Sequence, residues 1–170
     1  MSIFDYSVPT VEGGEVSLKE KFASSGKKAF LIVNVASACG LTASNYKGLA
    51  EVYERLAPKG LEIIAVPCND FGRQEPGTNE ECSSFAKGKR FKGYVTGKLH
   101  CEAGDKTHPL YSFLKDSLPG DFCGIMGKRV AWNFTKFLVD AQGVPIARYS
   151  PLASPESIEP HITALLDAAK

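Results

Sequence analysis

Ile32-Val33-Asn34-Val35-Ala36-Ser37-Ala38-Cys39-Gly40-Leu41-Thr42 carries the passage from a strand to a helix around which the rest of the chain is arranged. The apolar, β-branched run from Leu31 to Val35 reads as a buried strand. Small residues interrupt it, and a helical pattern begins near Ala43, so Cys39 stands where a strand ends and a helix is about to start. N–H groups at a helix N-terminus favour negative charge. A sulfur held there tends towards the thiolate, the form that attacks. The competing reading is a small apolar filler at a strand end, because free cysteine is among the most buried residue types. This stretch alone leaves both readings standing.

Downstream, Leu49, Val52, Tyr53 and Leu56 follow helical spacing and stop before Pro58 and Gly60, and Leu61 to Val66 is a second buried strand. Strand, helix, strand predicts a right-handed βαβ unit with parallel strands. The loop Pro67 to Thr78 then leaves the second strand at the edge where Cys39 leaves the first, and chemistry collects at the carboxyl ends of such strands. Upstream, Phe4, Tyr6 and Val8 alternate, Gly13-Gly14 turn, and Val16 and Leu18 alternate again, which predicts an N-terminal hairpin. Thr78 and Glu81 form a capping box for a short helix from Asn79 to about Ala86. The basic run Lys87, Lys89, Arg90 and Lys92 reads as the solvated end of that helix.

Lys98 to Cys101 is expected to form a strand, and Pro109 to Ser117 a helix with Leu110, Phe113 and Leu114 inward. Phe134 to Val139, the turn Asp140-Ala141-Gln142-Gly143, and Val144 to Tyr149 predict an antiparallel hairpin. Ser154-Pro155 opens a last helix, and Pro160 moves the expected start of its regular part to near Glu159. The layout predicts an α/β, thioredoxin-like fold: a mixed central sheet flanked by helices, with an N-terminal β-hairpin, in a single domain over 1–170.

A formal net charge of +1 over 170 residues gives no global attraction to nucleic acid or to an anionic membrane. No apolar run approaches membrane-spanning length. Met1-Ser2-Ile3-Phe4-Asp5-Tyr6 has no charged segment followed by an apolar one, so no secretory signal is expected. The five cysteines, at 39, 68, 82, 101 and 123, contain no C-x-x-C pair. A reducing compartment, the cytoplasm, fits that usage. The three histidines, at 100, 108 and 161, have no zinc-ligand spacing with the cysteines, and no metal is expected.

Four segments go beyond the fold. The run from Asn34 to Thr42, Pro67-Cys68-Asn69-Asp70-Phe71-Gly72-Arg73-Gln74-Glu75-Pro76-Gly77, Ala131-Trp132-Asn133-Phe134-Thr135-Lys136-Phe137-Leu138-Val139 and Arg148-Tyr149-Ser150-Pro151 closely resemble the signatures of the glutathione peroxidase family. The resemblance runs in order from about Phe4 to Leu166. It implies a thiol-dependent peroxidase that reduces hydrogen peroxide and organic or lipid hydroperoxides. Cys39 would be the peroxidatic residue, supported by Gln74, Trp132 and Asn133. The family holds either cysteine or selenocysteine at this position. No cofactor is implied beyond the reductant, glutathione or a thioredoxin-type protein.

Physical chemistry supports this assignment. A free thiol with a pKa near 8.5 is only a few per cent thiolate at neutral pH. A helix terminus supplies about 0.3–1 kcal/mol, less than one pKa unit. Hydrogen bonds to an ionised group supply about 1.5–3 kcal/mol each, so two would carry the pKa below 7. Gln74, Asn133 and the indole of Trp132 are uncharged donors suited to a thiolate and then to an alkoxide leaving a broken O–O bond.

The departures from the family pattern set further expectations. Thioredoxin-using members carry a resolving cysteine late in the helix after the Gln-Glu-Pro-Gly loop, where this chain has Lys87. Cys82 and Cys123 are the remaining candidates, and direct reduction by glutathione is favoured. The basic run at 87–92 and Arg148 are expected to receive glutathione carboxylates. Asp70 stands in place of the usual amide and is expected to add negative charge near the thiolate. The short segment between Pro119 and Val130 lacks the insertion that tetrameric members use, implying a monomer with an open site. The rival readings are a thiol–disulfide oxidoreductase, opposed by the missing second cysteine after Cys39, and a redox sensor or relay.

Overall fold

The computed structural model describes residues 1–121 and 124–169. β3 (Ala29–Val35) and β4 (Leu61–Pro67) lie parallel with all fourteen residues buried, Ala29 facing Leu61 and Val35 facing Pro67. They are the centre of a five-stranded sheet of order β5-β4-β3-β6-β7, completed by β5 (Tyr94–Val95), β6 (Lys136–Asp140) and β7 (Pro145–Tyr149). β5 runs parallel to β4, whereas β6 is antiparallel to β3 and β7 to β6.

Alternation along each strand supplies two cores. Phe30, Ile32, Ile64, Val66, Phe137 and Val139 face α1 (Leu18–Phe22) and α4 (Pro109–Ser117). Leu31, Val33, Ile63, Ala65 and Leu138 face α2 (Thr42–Leu56), α3 (Asn79–Gly88) and α5 (Pro155–Ala168). Continuous apolar runs are what a strand covered on both faces requires. The mixed sheet between helices is the expected thioredoxin-like fold, and β1 (Ser7–Pro9) with β2 (Glu15–Ser17) forms the expected N-terminal hairpin as a separate sheet.

Several local expectations change. Phe4 lies in a 3₁₀ turn, Ile3–Asp5, closed by a Ser2/Asp5 capping box. Leu18 begins α1 because the Ser17 hydroxyl accepts from Glu20 N–H. Lys98 to Cys101 is not a strand. Two of its backbone donors are taken by side chains, Lys98 N–H by Asn79 Oδ1 at 2.9 Å and Cys101 N–H by Asp70 Oδ2 at 2.7 Å, leaving Leu99 N–H a single bond to Pro67 O at 3.2 Å. The last helix is regular from Pro155 despite Pro160, which sits on its exposed side. There the lost backbone bond is solvated and the ring crowds no packed neighbour.

Candidate active site

The site is built at the carboxyl edge of β3 and β4. Cys39, half-buried, lies three residues before the first residue of α2. Its N–H donates to Thr42 Oγ1 at 3.1 Å, and that hydroxyl donates to Ala36 O at 2.8 Å, tying the turn to the strand end. Leu41 N–H, at the mouth of the helix, points to Cys39 Sγ at 3.4 Å. A backbone donor aimed at the sulfur is what a helix start offers an anion.

The loop after β4 runs beside this turn. Ala38 N–H donates to Gln74 O at 3.0 Å, so the backbone one residue before the thiol is clamped to the backbone of Gln74. The Gln74 carboxamide oxygen in turn accepts from Asn133 Nδ2 at 2.8 Å. Asn133 is fully buried, and its own Oδ1 has no protein partner. Trp132, 39% exposed, tilts against Phe71 with ring centroids 5.8 Å apart. Gly72 makes this approach feasible, with φ +66. A Cβ there would sit 3.2 Å from the indole edge at Cζ2 and 3.5 Å from the Gln74 carboxamide carbon. Gln74, Trp132 and Asn133 therefore form one cluster, joined to the Cys39 turn through the Ala38–Gln74 bond.

Asn34 does structural work that sequence reading left unassigned. It is a buried polar residue inside an apolar strand, and its Nδ2 donates to Trp132 O at 3.0 Å. Its backbone carbonyl accepts from Phe134 N–H at 2.6 Å, and Phe134 has φ +67. These bonds hold the 132–134 turn on the edge of β3. A polar side chain within a buried run was the available signal, since such groups need partners.

Asp70 does not bear on the thiolate as expected. Its carboxylate accepts from His100 Nδ1 at 2.7 Å, Cys101 N–H at 2.7 Å, Glu102 N–H at 3.0 Å and the Cys68 thiol at 3.2 Å. Burial pushes its carboxyl up, but these donors together hold it below the usual carboxylate range. None of them belongs to the Cys39 turn. Arg148 is likewise spoken for: Nε donates to Asp121 Oδ1 at 2.7 Å, and the remaining nitrogens bind the carbonyls of Lys128 and Arg129. Its side chain is 2% exposed, so it is not a receptor for a glutathione carboxylate. The basic run is exposed: Lys87, Lys89, Arg90 and Lys92 line an open groove with Lys47, Glu51 and Glu54 of α2, and Lys89 Nζ lies 5.4 Å from the Phe85 ring centroid.

The other described thiols are unlike Cys39. Cys68 and Cys101 are fully buried, and Cys82 is 3% exposed. Burial and the neighbouring Glu75 charge push the Cys82 thiol up to about 11. A thiol so held stays protonated at neutral pH and is a weak resolving nucleophile. Cys123 lies outside the described residues.

A half-exposed thiol at the carboxyl edge of a mixed sheet, its turn bonded to the loop that carries Gln74, defines a thiol redox protein on the thioredoxin-like fold. The glutathione peroxidase family model matches residues 3–115. A relative from Arabidopsis thaliana, named probable phospholipid hydroperoxide glutathione peroxidase 6, mitochondrial, is 47% identical over 167 residues, covering 97% of this chain and 68% of that protein. A Citrus sinensis relative, named probable phospholipid hydroperoxide glutathione peroxidase, is 45% identical over 170 residues, covering 99% of this chain and 96% of its own. The crystal structure of T. cruzi GPX1 superposes with a TM-score of 0.77 at 33% identity, covering 100% of this chain and 99% of that one. The chain belongs to the glutathione peroxidase family and is a thiol-dependent peroxidase, an oxidoreductase that takes hydroperoxides as acceptors.

Proposed function

We propose that Cys39 is the sulfur that attacks the hydroperoxide, with Gln74, Asn133 and Trp132 as its supporting donors. The observation that carries this reading is the Asn133 Nδ2 to Gln74 Oε1 bond at 2.8 Å. It occupies the acceptor end of the Gln74 amide and leaves its NH₂ end for another partner, in a loop clamped to the residue before Cys39. The Cys39 thiolate attacks one peroxide oxygen, the O–O bond breaks, and the departing alkoxide takes a proton to leave as alcohol or water. Uncharged N–H donors stabilise both the thiolate and the alkoxide. Cys39 is left as a sulfenic acid.

A first glutathione displaces water from that sulfenic acid to give a mixed disulfide, and a second releases oxidised glutathione and the Cys39 thiol. Direct reduction of this kind agrees with the protonated, enclosed state of Cys82. The reductant is the only co-substrate, no resident cofactor is needed, and the reducing cytoplasm suits the cycle. Trp132 at the surface leaves the site open, which favours bulky organic and lipid hydroperoxides in a monomeric enzyme. Among the described residues no helix is long and apolar enough to cross a membrane.

Mass spectrometry after one equivalent of peroxide, followed by glutathione, tests this directly. A glutathione adduct on Cys39 is expected. An internal disulfide involving Cys82 or Cys123 would replace the direct route, and peroxide turnover by Cys39→Ser would end the assignment of the sulfur.

A further inference from the structure

Leu152 is a large apolar side chain that the fold holds in the open. It is 72% exposed at the tip of the turn from Ser150 to Ala153, between β7 and α5. Ala153 N–H donates to Ser150 O at 3.0 Å, and Pro151 occupies the second position of the turn, where its fixed φ is favoured. The turn is anchored from below. Lys136 of β6 is fully buried, and its Nζ donates to Ala153 O at 2.7 Å and to Pro151 O at 3.3 Å. A buried ammonium needs such partners, so the carbonyls on either side of Leu152 are held inward. Lys136 is itself fixed opposite Val33, towards the end of β3 from which the Cys39 turn departs.

The anchored turn forms one wall of a cavity of about 300 Å³, a volume at the small end for ligand sites. Pro151, Leu152 and Pro155 line it on this side, and Leu41 lines it from the start of α2. Leu41 also belongs to the candidate active site, because its N–H points to Cys39 Sγ at 3.4 Å. A single residue therefore joins the cavity to the sulfur. The charged residues lining the cavity are Lys47 and Glu156, one of each sign, which gives no net formal charge to draw an ionic ligand. The groove along the basic run differs, with five cationic side chains against two carboxylates.

We propose that this cavity receives the hydrocarbon part of an organic hydroperoxide, with Leu152 as the residue that favours such substrates over hydrogen peroxide. This rests on the reading of Cys39 as the attacking sulfur. A hydrocarbon body seated between Leu41, Leu152 and the two prolines removes apolar surface from water, and hydrogen peroxide has no such surface to bury. Lys136 matters here as the anchor that keeps Leu152 at the cavity rather than folded away from it.

Rapid-mixing measurement of Cys39 oxidation by cumene hydroperoxide and by hydrogen peroxide gives two second-order rate constants, and their ratio tests the proposal. Leu152→Ser alters an exposed side chain and requires no core to repack. It is expected to lower the ratio of cumene hydroperoxide to hydrogen peroxide about 10-fold, the scale of a lost apolar contact in a pocket. Leu152→Met, which keeps an apolar body of similar volume, should hold the ratio near its wild-type value. An unchanged ratio in Leu152→Ser, whether both rate constants stand or fall together, would overturn the proposal, as would an equal drop in Leu152→Met. Peroxide turnover by Cys39→Ser would instead overturn the underlying reading of Cys39.

Discussion

Two sulfur-containing regions meet the carboxyl edge of β4, and their surroundings differ in kind. On one side, Cys39 is half-buried, faces a backbone N–H at 3.4 Å, and follows a residue whose N–H donates to the backbone of Gln74. On the other, Cys68 and Cys101 are fully buried, and Cys68 donates its own proton to Asp70. Burial and the adjacent Cys68 thiol push the Cys101 thiol well up. The first region presents a backbone N–H to a sulfur. The second offers sulfur as a donor to a carboxylate. One residue type accepts a hydrogen bond at the sheet edge in one place and donates one inside the core in the other, which is the contrast the proposed attack by Cys39 draws on.

The largest expected effect on this contrast is Cys39→Ser, which should lower peroxide consumption at least about 1000-fold, as removal of a nucleophile does. Cys68→Ala should leave turnover close to wild type in the same coupled assay. Next, Gln74→Ala or Trp132→Phe should lower the rate constant for peroxide about 100-fold, the scale of one lost donor. Rapid-mixing fluorescence on Gln74→Ala, which retains the indole, would check this. A rate near wild type would show that the amide cluster does not serve the sulfur.

Asp70→Asn should act on stability with the rate nearly unchanged, costing about 1–3 kcal/mol for the donors it leaves poorly paired. The sign follows from its lowered carboxyl. A group depressed in the folded state adds stability above the unfolded carboxylate pKa, and this is lost as pH falls through the lower folded value. The Tm gap between wild type and Asp70→Asn should therefore be full at neutral pH and close in acid. The smallest effect belongs to Cys82→Ala, expected to change turnover with glutathione by less than about twofold. In the wild type, Cys82 should resist alkylation at neutral pH and react only as pH approaches about 11. Rapid labelling of Cys82 beside Cys39 would erase the distinction between the two thiols.

Much of this is legible in the chain's own pattern. The β3 and β4 runs, the helix between them and the N-terminal hairpin follow from neighbouring residues, and the segments around Cys39, Gln74 and Trp132-Asn133 supplied the site candidates. What was misread turned on partners far along the chain. Lys98 to Cys101 looks like a strand until Asn79 and Asp70 take the N–H groups at its two ends. Arg148 looks available until Asp121 and two carbonyls occupy its guanidinium. Asp70 looks like a charge beside the thiolate until His100 and the 101–102 backbone absorb it.

Local pattern is enough to locate the central strands and most helices, their apolar faces, and the residue types that gather at one edge of the sheet. Those properties repeat over two to four residues and are set by local geometry and burial. Tertiary structure decided which charges are free and which are spent. Gln74 meets Asn133 across 59 positions and Asp70 meets His100 across 30. A buried polar group must find its partner wherever the fold brings one, so only the folded chain shows what remains for chemistry.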